Sequence, residues 1–202
     1  MLQLGAKDRD KYYSTVLSSY LLVLTGLVVT LSFFIKTFYR NFVEVQYASS
    51  DSYLYLLCVA GIGYALMAFM TAIFQAEKNT MKILQLTIIA SITSVILHYL
   101  FIKYSGLTGA AIAYALSYML MFVYYFIAAR KNFKIMFSPQ SLFTSVVLLI
   151  GGGLIFYITD NVLWKISYWA VCMSVIYLTL PKSMIQGTKS WIYGKLSILR
   201  KS

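Results

Sequence analysis

Residues 97–120 read LHYLFIKYSGLTGAAIAYALSYML. The stretch joins the end of one apolar helix to the start of another through a short polar turn at residues 103–105. The second helix opens with Gly106, Gly109, Ala110, Ala111, Ala113 and Ala115. In water this is a poor helix start, because glycine loses the most backbone entropy on folding. In lipid it is a good one, because small residues let two helix backbones approach closely. Gly109, Ala113 and Ser117 recur every four residues and so share one face. They read as a helix–helix contact.

Composition extends this reading to the whole chain. Of 202 residues, 60% are hydrophobic and only 11% charged. A soluble domain carries about a quarter charged residues. The apolar residues fall in six blocks, 13–35, 53–75, 83–102, 108–129, 141–159 and 162–180. At 1.5 Å per residue each covers about 28–35 Å, enough for the hydrocarbon core. Backbone groups in lipid must be satisfied within their own segment, so the blocks are helices. Pro139 precedes the fifth, where a helix start tolerates it, and Pro181 closes the sixth. The expected fold is all-α: a polytopic bundle of about six membrane-spanning helices over residues 13–180. A polar segment, 1–12, precedes it, and a basic tail, 181–202, follows.

The cations orient the bundle. Lys7, Arg9, Lys11, Lys78, Lys82, Arg130, Lys131, Lys134, Lys182, Lys189, Lys195, Arg200 and Lys201 fall on one side. Lys36, Arg40, Lys103 and Lys165 fall on the other. Thirteen against four predicts that both termini are cytoplasmic. The bias also accounts for the net charge of +11 without a nucleic-acid partner. In the tail, Trp191, Tyr193, Leu196, Ile198 and Leu199 interleave with Lys189, Lys195, Arg200 and Lys201. Such a segment lies on an anionic membrane surface. Residues 1–12 lack the short apolar core and small-residue cleavage site of a signal peptide.

Polar residues inside the blocks are the candidates for function. Thr87, Ser91, Ser94 and His98 form one stripe on the third helix. Polar residues in lipid face the bundle interior or a water-filled cavity, so the stripe reads as interhelical hydrogen bonding or as a cavity lining. His98 is the single histidine. It serves as a pH-sensitive group or as a hydrogen-bond donor to a neighbour. On the second helix Gly61, Ala65, Ala68 and Ala72 repeat the small-residue theme and read as packing. Ser18, Thr25 and Ser32 make a thinner polar face on the first. Gly151, Gly152 and Gly153 imply a kink or a close neighbour in the fifth.

The acids are Asp8, Asp10, Glu44, Asp51, Glu77 and Asp160, all in loops or at helix ends. No carboxylate is predicted at mid-membrane, which argues against an ion-coupling site. No nucleophile–base pair, paired carboxylates or phosphate-cradling loop is present, so no enzyme activity is expected. Metal-ligand spacing is missing, and no cofactor is expected. Cys58 and Cys172 lie in apolar blocks and read as small apolar side chains.

The run QAEKNTMKILQLTIIASITSVILHYLFIKYSGLTGAAIAYALSYML, residues 75–120, resembles the C-terminal part of bacterial polysaccharide (O-antigen and capsule) flippases. These belong to the multidrug/oligosaccharidyl-lipid/polysaccharide exporter superfamily. The matching features are the turn at 76–80 with Lys78, the long helix ending near Phe101, and the Gly106–Ala113 block. Residues 33–47, a polar turn and residues 53–57 are also similar, and the likeness covers about residues 10–130. At His98 the family often carries asparagine.

The resemblance implies a two-lobed transporter of 12–14 helices, of which this chain supplies six and a missing N-terminal lobe the rest. It implies flipping of an undecaprenyl-pyrophosphate-linked oligosaccharide across the bacterial inner membrane for surface polysaccharide biosynthesis. Thr87, Ser91, Ser94 and His98 would line the substrate path, and the lipid bilayer and the lipid-linked oligosaccharide would be the partners. The pyrophosphate calls for a cation. Lys36, Arg40 and Lys103 stand nearest the outer helix ends, either in that role or as snorkelling anchors. A membrane scaffold or accessory subunit packing against a partner protein is the other expectation.

Overall fold

The computed structural model describes residues 6–42, 51–158 and 161–181. Within them every regular element is helical: α1 Ala6–Phe42, α2 Asp51–Ala76, α3 Thr80–Arg130, α4 Pro139–Ile158 and α5 Val162–Thr179. Four are long and apolar enough to cross a membrane, over 8–35, 53–76, 80–130 and 139–158, and α5 is shorter and apolar. These mark a membrane-inserted helical bundle. The part of the family likeness on residues 43–50, the acids Glu44 and Asp160, and the tail beyond Pro181 lie outside the described residues. So do the side chains of Lys36, Arg40 and Asp51, whose backbones belong to helices.

Helix α3 has 51 residues but does not run straight. Gly106 has φ +55° and ψ −130°, outside helical space. Thr87 Oγ1 and Tyr125 Oη meet at 2.8 Å although 38 residues separate them. A straight helix would hold them about 57 Å apart. Tyr125 Oη also donates to the Ile83 carbonyl at 3.3 Å. So α3 is a hairpin of two antiparallel arms, 80–105 and 107–130. The expected turn at 103–105 is corrected: those residues are helical, and the reversal sits at Gly106. Only glycine enters that backbone region without steric cost. Three residues on, the Phe101 carbonyl fills the space a Cβ on Gly109 would take. Gly109, the first residue of the small face read from the sequence, therefore closes the tip of the hairpin.

Helix α1 packs against α2, α4 and α5, and α2 packs against α3. Leu17, Ile62, Met70, Phe74, Tyr125 and Ile135 form the heart of one core. Leu22, Val29, Leu148, Cys172 and Ile176 form a second, between α1, α4 and α5. The close approach of α2 to the second arm is at Gly63, where a Cβ would meet the backbone of Tyr118 and Met119 at 3.0–3.1 Å. Gly61 was the expected packing glycine, yet a Cβ there meets nothing within 4 Å. Gly63 points the other way around the helix, at 100° per residue.

The three glycines of α4 have close neighbours, and no described residue of α4 has positive φ. Tyr55 Oη donates to the Leu149 carbonyl. Tyr168 Oη donates to the Leu148 carbonyl at 2.7 Å. A side chain four residues on would normally shield each carbonyl. Gly152 and Gly153 have none, so the two phenols reach the helix backbone.

Between α3 and α4 the chain runs without regular structure along α1. The N–H groups of Lys134, Met136 and Ser138 donate to Asp10 Oδ2, Ser14 Oγ and Ser18 Oγ. Alternate residues Phe133 and Ile135 are buried in the core. Ser138 then caps α4, its Oγ accepting from the Ser141 N–H at 3.0 Å, with Pro139 in the first helical position.

Candidate functional site

The first arm of α3 ends, and the second begins, beside the start of α2. Between them lies a cleft of about 340 Å³, lined by Tyr53, Leu54, Leu57, His98, Leu107, Ala110, Ala111 and Tyr114. Thr108 Oγ1 donates to Tyr53 Oη at 3.1 Å across its edge, tying α2 to the hairpin tip. No charged side chain lines it. The cleft offers aromatic faces, phenolic hydroxyls and one imidazole, a set suited to an uncharged or weakly polar group.

His98 is half-buried there. Its Nδ1 lies 2.8 Å from the Ser94 carbonyl. A carbonyl oxygen only accepts, so Nδ1 carries the hydrogen. Ser94 Oγ also stands 3.4 Å from Nδ1. The ring is thus held by its own helix.

The predicted stripe does not act as one surface. Thr87 pairs with Tyr125 of the opposite arm, an interhelical hydrogen bond. Ser94 and His98 pair with each other, and His98 alone lines the cleft. Ser91 is exposed on the same outward face as Ile88, Ile92 and Val95. Lys103 is exposed near the hairpin tip. Among the small residues, Gly109, Ala113 and Ser117 are buried, Ala65 is half-buried and Gly61 is exposed.

Sequence reasoning passed over Tyr53 and Tyr114, which line the cleft, and over Tyr64 and Tyr118, which continue from it. Tyr114 and Tyr118 have ring centroids 4.7 Å apart, and Tyr118 and Tyr64 5.3 Å apart, both edge-on. Their signal was present: Tyr114 and Tyr118 are four apart on one helix face.

At the opposite end of the bundle Arg9 bonds Glu77 at 3.1 Å and lies over the Phe133 ring at 4.8 Å. With Phe74, Asn79 and Asn132 these residues line a second opening of about 280 Å³. Its one lining cation is already paired with its one lining acid, so it reads as a tie between loops. Among the described residues no group of His, Cys, Asp and Glu has the arrangement of a metal site. No protein-family model, curated protein or solved structure matches the chain.

Proposed function

We propose that this chain is one lobe of a membrane flippase that moves a lipid-linked oligosaccharide of the undecaprenyl-pyrophosphate type across a bacterial inner membrane. In this reading α1, α2, the two arms of α3, α4 and α5 make six crossings, and both termini are cytoplasmic. The thirteen-to-four bias of cations supports the orientation. The likeness over residues 10–130 supports the family. The observation that carries the reading is the uncharged cleft between α2 and the hairpin tip, with Tyr53, His98 and Tyr114 on its wall. Aromatic faces beside hydroxyls and an imidazole suit sugar rings, and the apolar flanks suit a polyprenyl tail. A second lobe completes the path.

Complementation tests the reading. Co-expression with a matching N-terminal lobe should restore surface polysaccharide to a flippase-deficient strain, and His98→Ala should weaken the rescue. No rescue with any such lobe, at normal membrane abundance, overturns it.

One observation favours a second reading, a scaffold that packs on a partner. Gly61, with open space around it, shares an outward face with Ala68 and Ala72. Small residues on an outer face admit a partner helix.

A further inference from the structure

Arg9 stands between two carboxylates. Its Nη1 donates to Glu77 Oε1 at 3.1 Å, on the turn between α2 and α3. Its Nε lies 3.7 Å from Asp10 Oδ1, a contact too long for a hydrogen bond. Arg9 Nε and Asp10 Oδ1 are both shut off from solvent, and neither has a hydrogen-bond partner among the described residues. Buried polar groups are nearly always paired, so a matched donor and acceptor left just out of reach call for an explanation. The other oxygen, Asp10 Oδ2, already accepts from the Lys134 N–H of the linker between α3 and α4.

The turn that Arg9 holds is strained. Lys78, next to Glu77, has φ +57°, and among the described residues no other side chain but glycine's sits at positive φ. A residue in that region crowds its own backbone and stays there only while its surroundings hold it. The tether is weak. Both side chains of the Arg9–Glu77 pair are 32% exposed, and ion pairs that water reaches contribute little. Asp10 is the more buried acid, at 18%. The guanidinium also lies over the Phe133 ring at 4.8 Å, and that contact is with the linker, not with the turn. Arg9 can therefore change carboxylate while it stays on the linker.

We propose that Arg9 is a two-position latch at the end of the bundle opposite the hairpin tip. In the observed position it holds the α2–α3 turn through Glu77. In the other its Nε and one Nη both donate to Asp10, the forked geometry that a guanidinium and a carboxylate favour. Glu77 is then released, and the turn swings away from the linker. The opening of about 280 Å³ between them widens. Helix α1 keeps its hold on the linker in both positions, through Asp10 Oδ2 and through Phe133. The latch belongs to this bundle and does not rest on the flippase proposal.

Paired spin labels on the full chain in lipid nanodiscs test this, with Cys58 and Cys172 replaced by alanine. Labels at Ala76→Cys and Lys134→Cys, both exposed positions, span the turn and the linker. The parent should show a short and a long distance. Glu77→Gln should raise the long-to-short ratio by about fivefold, the factor set by an exposed ion pair at the strong end of its range. Asp10→Asn keeps an acceptor for the Lys134 N–H but removes the second seat of the latch, so it should lower the same ratio by about fivefold. No change, an effect of one variant alone, or a change in the same direction for both overturns the latch. A second pair, Tyr12→Cys with Lys134→Cys, spans α1 and the linker and should keep one distance in the parent and both variants. If that distance lengthens too, the whole end of the bundle is loosening and the latch is overturned.

Discussion

The Ser138 N–H donates to Ser18 Oγ at 2.9 Å, across 120 residues of sequence. It is the last of three such bonds, after Lys134 to Asp10 and Met136 to Ser14. The donors are spaced by two residues and the acceptors by four. Two extended residues span about 6.6 Å and four helical residues about 6.0 Å, so the two repeats stay in step. The linker gains backbone partners without a second strand, and its alternate side chains are free to enter the core.

Substitutions along this strap should separate its two sides. Ser18→Ala leaves the Ser138 N–H without its acceptor and should cost about 1–3 kcal/mol. Ile135→Ala empties a fully buried position and should cost about 2–5 kcal/mol. Asp10→Asn keeps an acceptor oxygen and should cost less than Ser18→Ala. Thermal unfolding in detergent, followed by size-exclusion fluorescence, ranks the three. Equal effects would show that the bonds do not hold the strap.

The hairpin tip makes a prediction about glycines. Gly109→Ala drives a methyl group into the Phe101 carbonyl, a collision with backbone that cannot rotate away. Gly106→Ala must hold φ near +55°, a strain of about 1–3 kcal/mol. Both should lower folded abundance several-fold. Gly61→Ala meets open space and should leave it unchanged. A loss at Gly61 equal to that at Gly109 would refute the assignment of which glycine packs.

Much of this was legible in the sequence, and the rest has identifiable causes. Apolar block length found the helices, because lipid leaves a spanning backbone few alternatives. Polarity placed the turn at Lys103–Ser105, but a helix can carry exposed polar residues to its end. What breaks it is the residue that can reverse, Gly106. The triple glycine stayed ambiguous because Tyr55 reaches Leu149 across 94 residues. The strap did have a signal: Phe133, Ile135 and Phe137 alternate with polar or exposed neighbours, the period of an extended segment. The stripe could not be resolved from sequence because Thr87, Ser91, Ser94 and His98 cluster on an edge between buried and exposed faces. Each then meets a different environment.

The tyrosine contacts on α4 should be modest in energy and specific in direction. Tyr168→Phe removes a donor from a carbonyl on a helix, so the loss should be about 0.5–1.5 kcal/mol. Gly153→Ala should cost more, because its Cβ would stand 3.0 Å from the Tyr55 ring. In a Tyr55→Ala background, with the ring gone, Gly153→Ala should cost less than it does in the parent. Unfolding midpoints of the single and double variants check the coupling.

The folded-back α3 predicts sidedness. Lys78 and Lys131 flank the two arms, and Ser105 stands at the tip. Reporters fused after Lys78 and after Lys131 should both read cytoplasmic. A cysteine at Ser105 should be labelled from outside intact spheroplasts. Opposite readings after Lys78 and Lys131 would mean that α3 crosses once, against the 2.8 Å contact of Thr87 with Tyr125.

The last prediction concerns the split stripe. Thr87 holds the two arms together through Tyr125, which is 1% exposed. Thr87→Val should therefore act on the fold, costing about 0.5–1.5 kcal/mol with transport per folded molecule unchanged. His98 is held by Ser94 of its own helix, so losing it breaks no tie between helices. His98→Ala should leave folded abundance near that of the parent and reduce transport per molecule several-fold. His98→Gln, which retains an amide near the cleft, should fall between them. Of the two readouts, abundance by in-gel fluorescence and surface polysaccharide per unit protein, Thr87→Val must lower the first alone and His98→Ala the second alone. If His98→Ala instead behaves like Thr87→Val, the imidazole is a packing group and the cleft loses the one imidazole assigned to it.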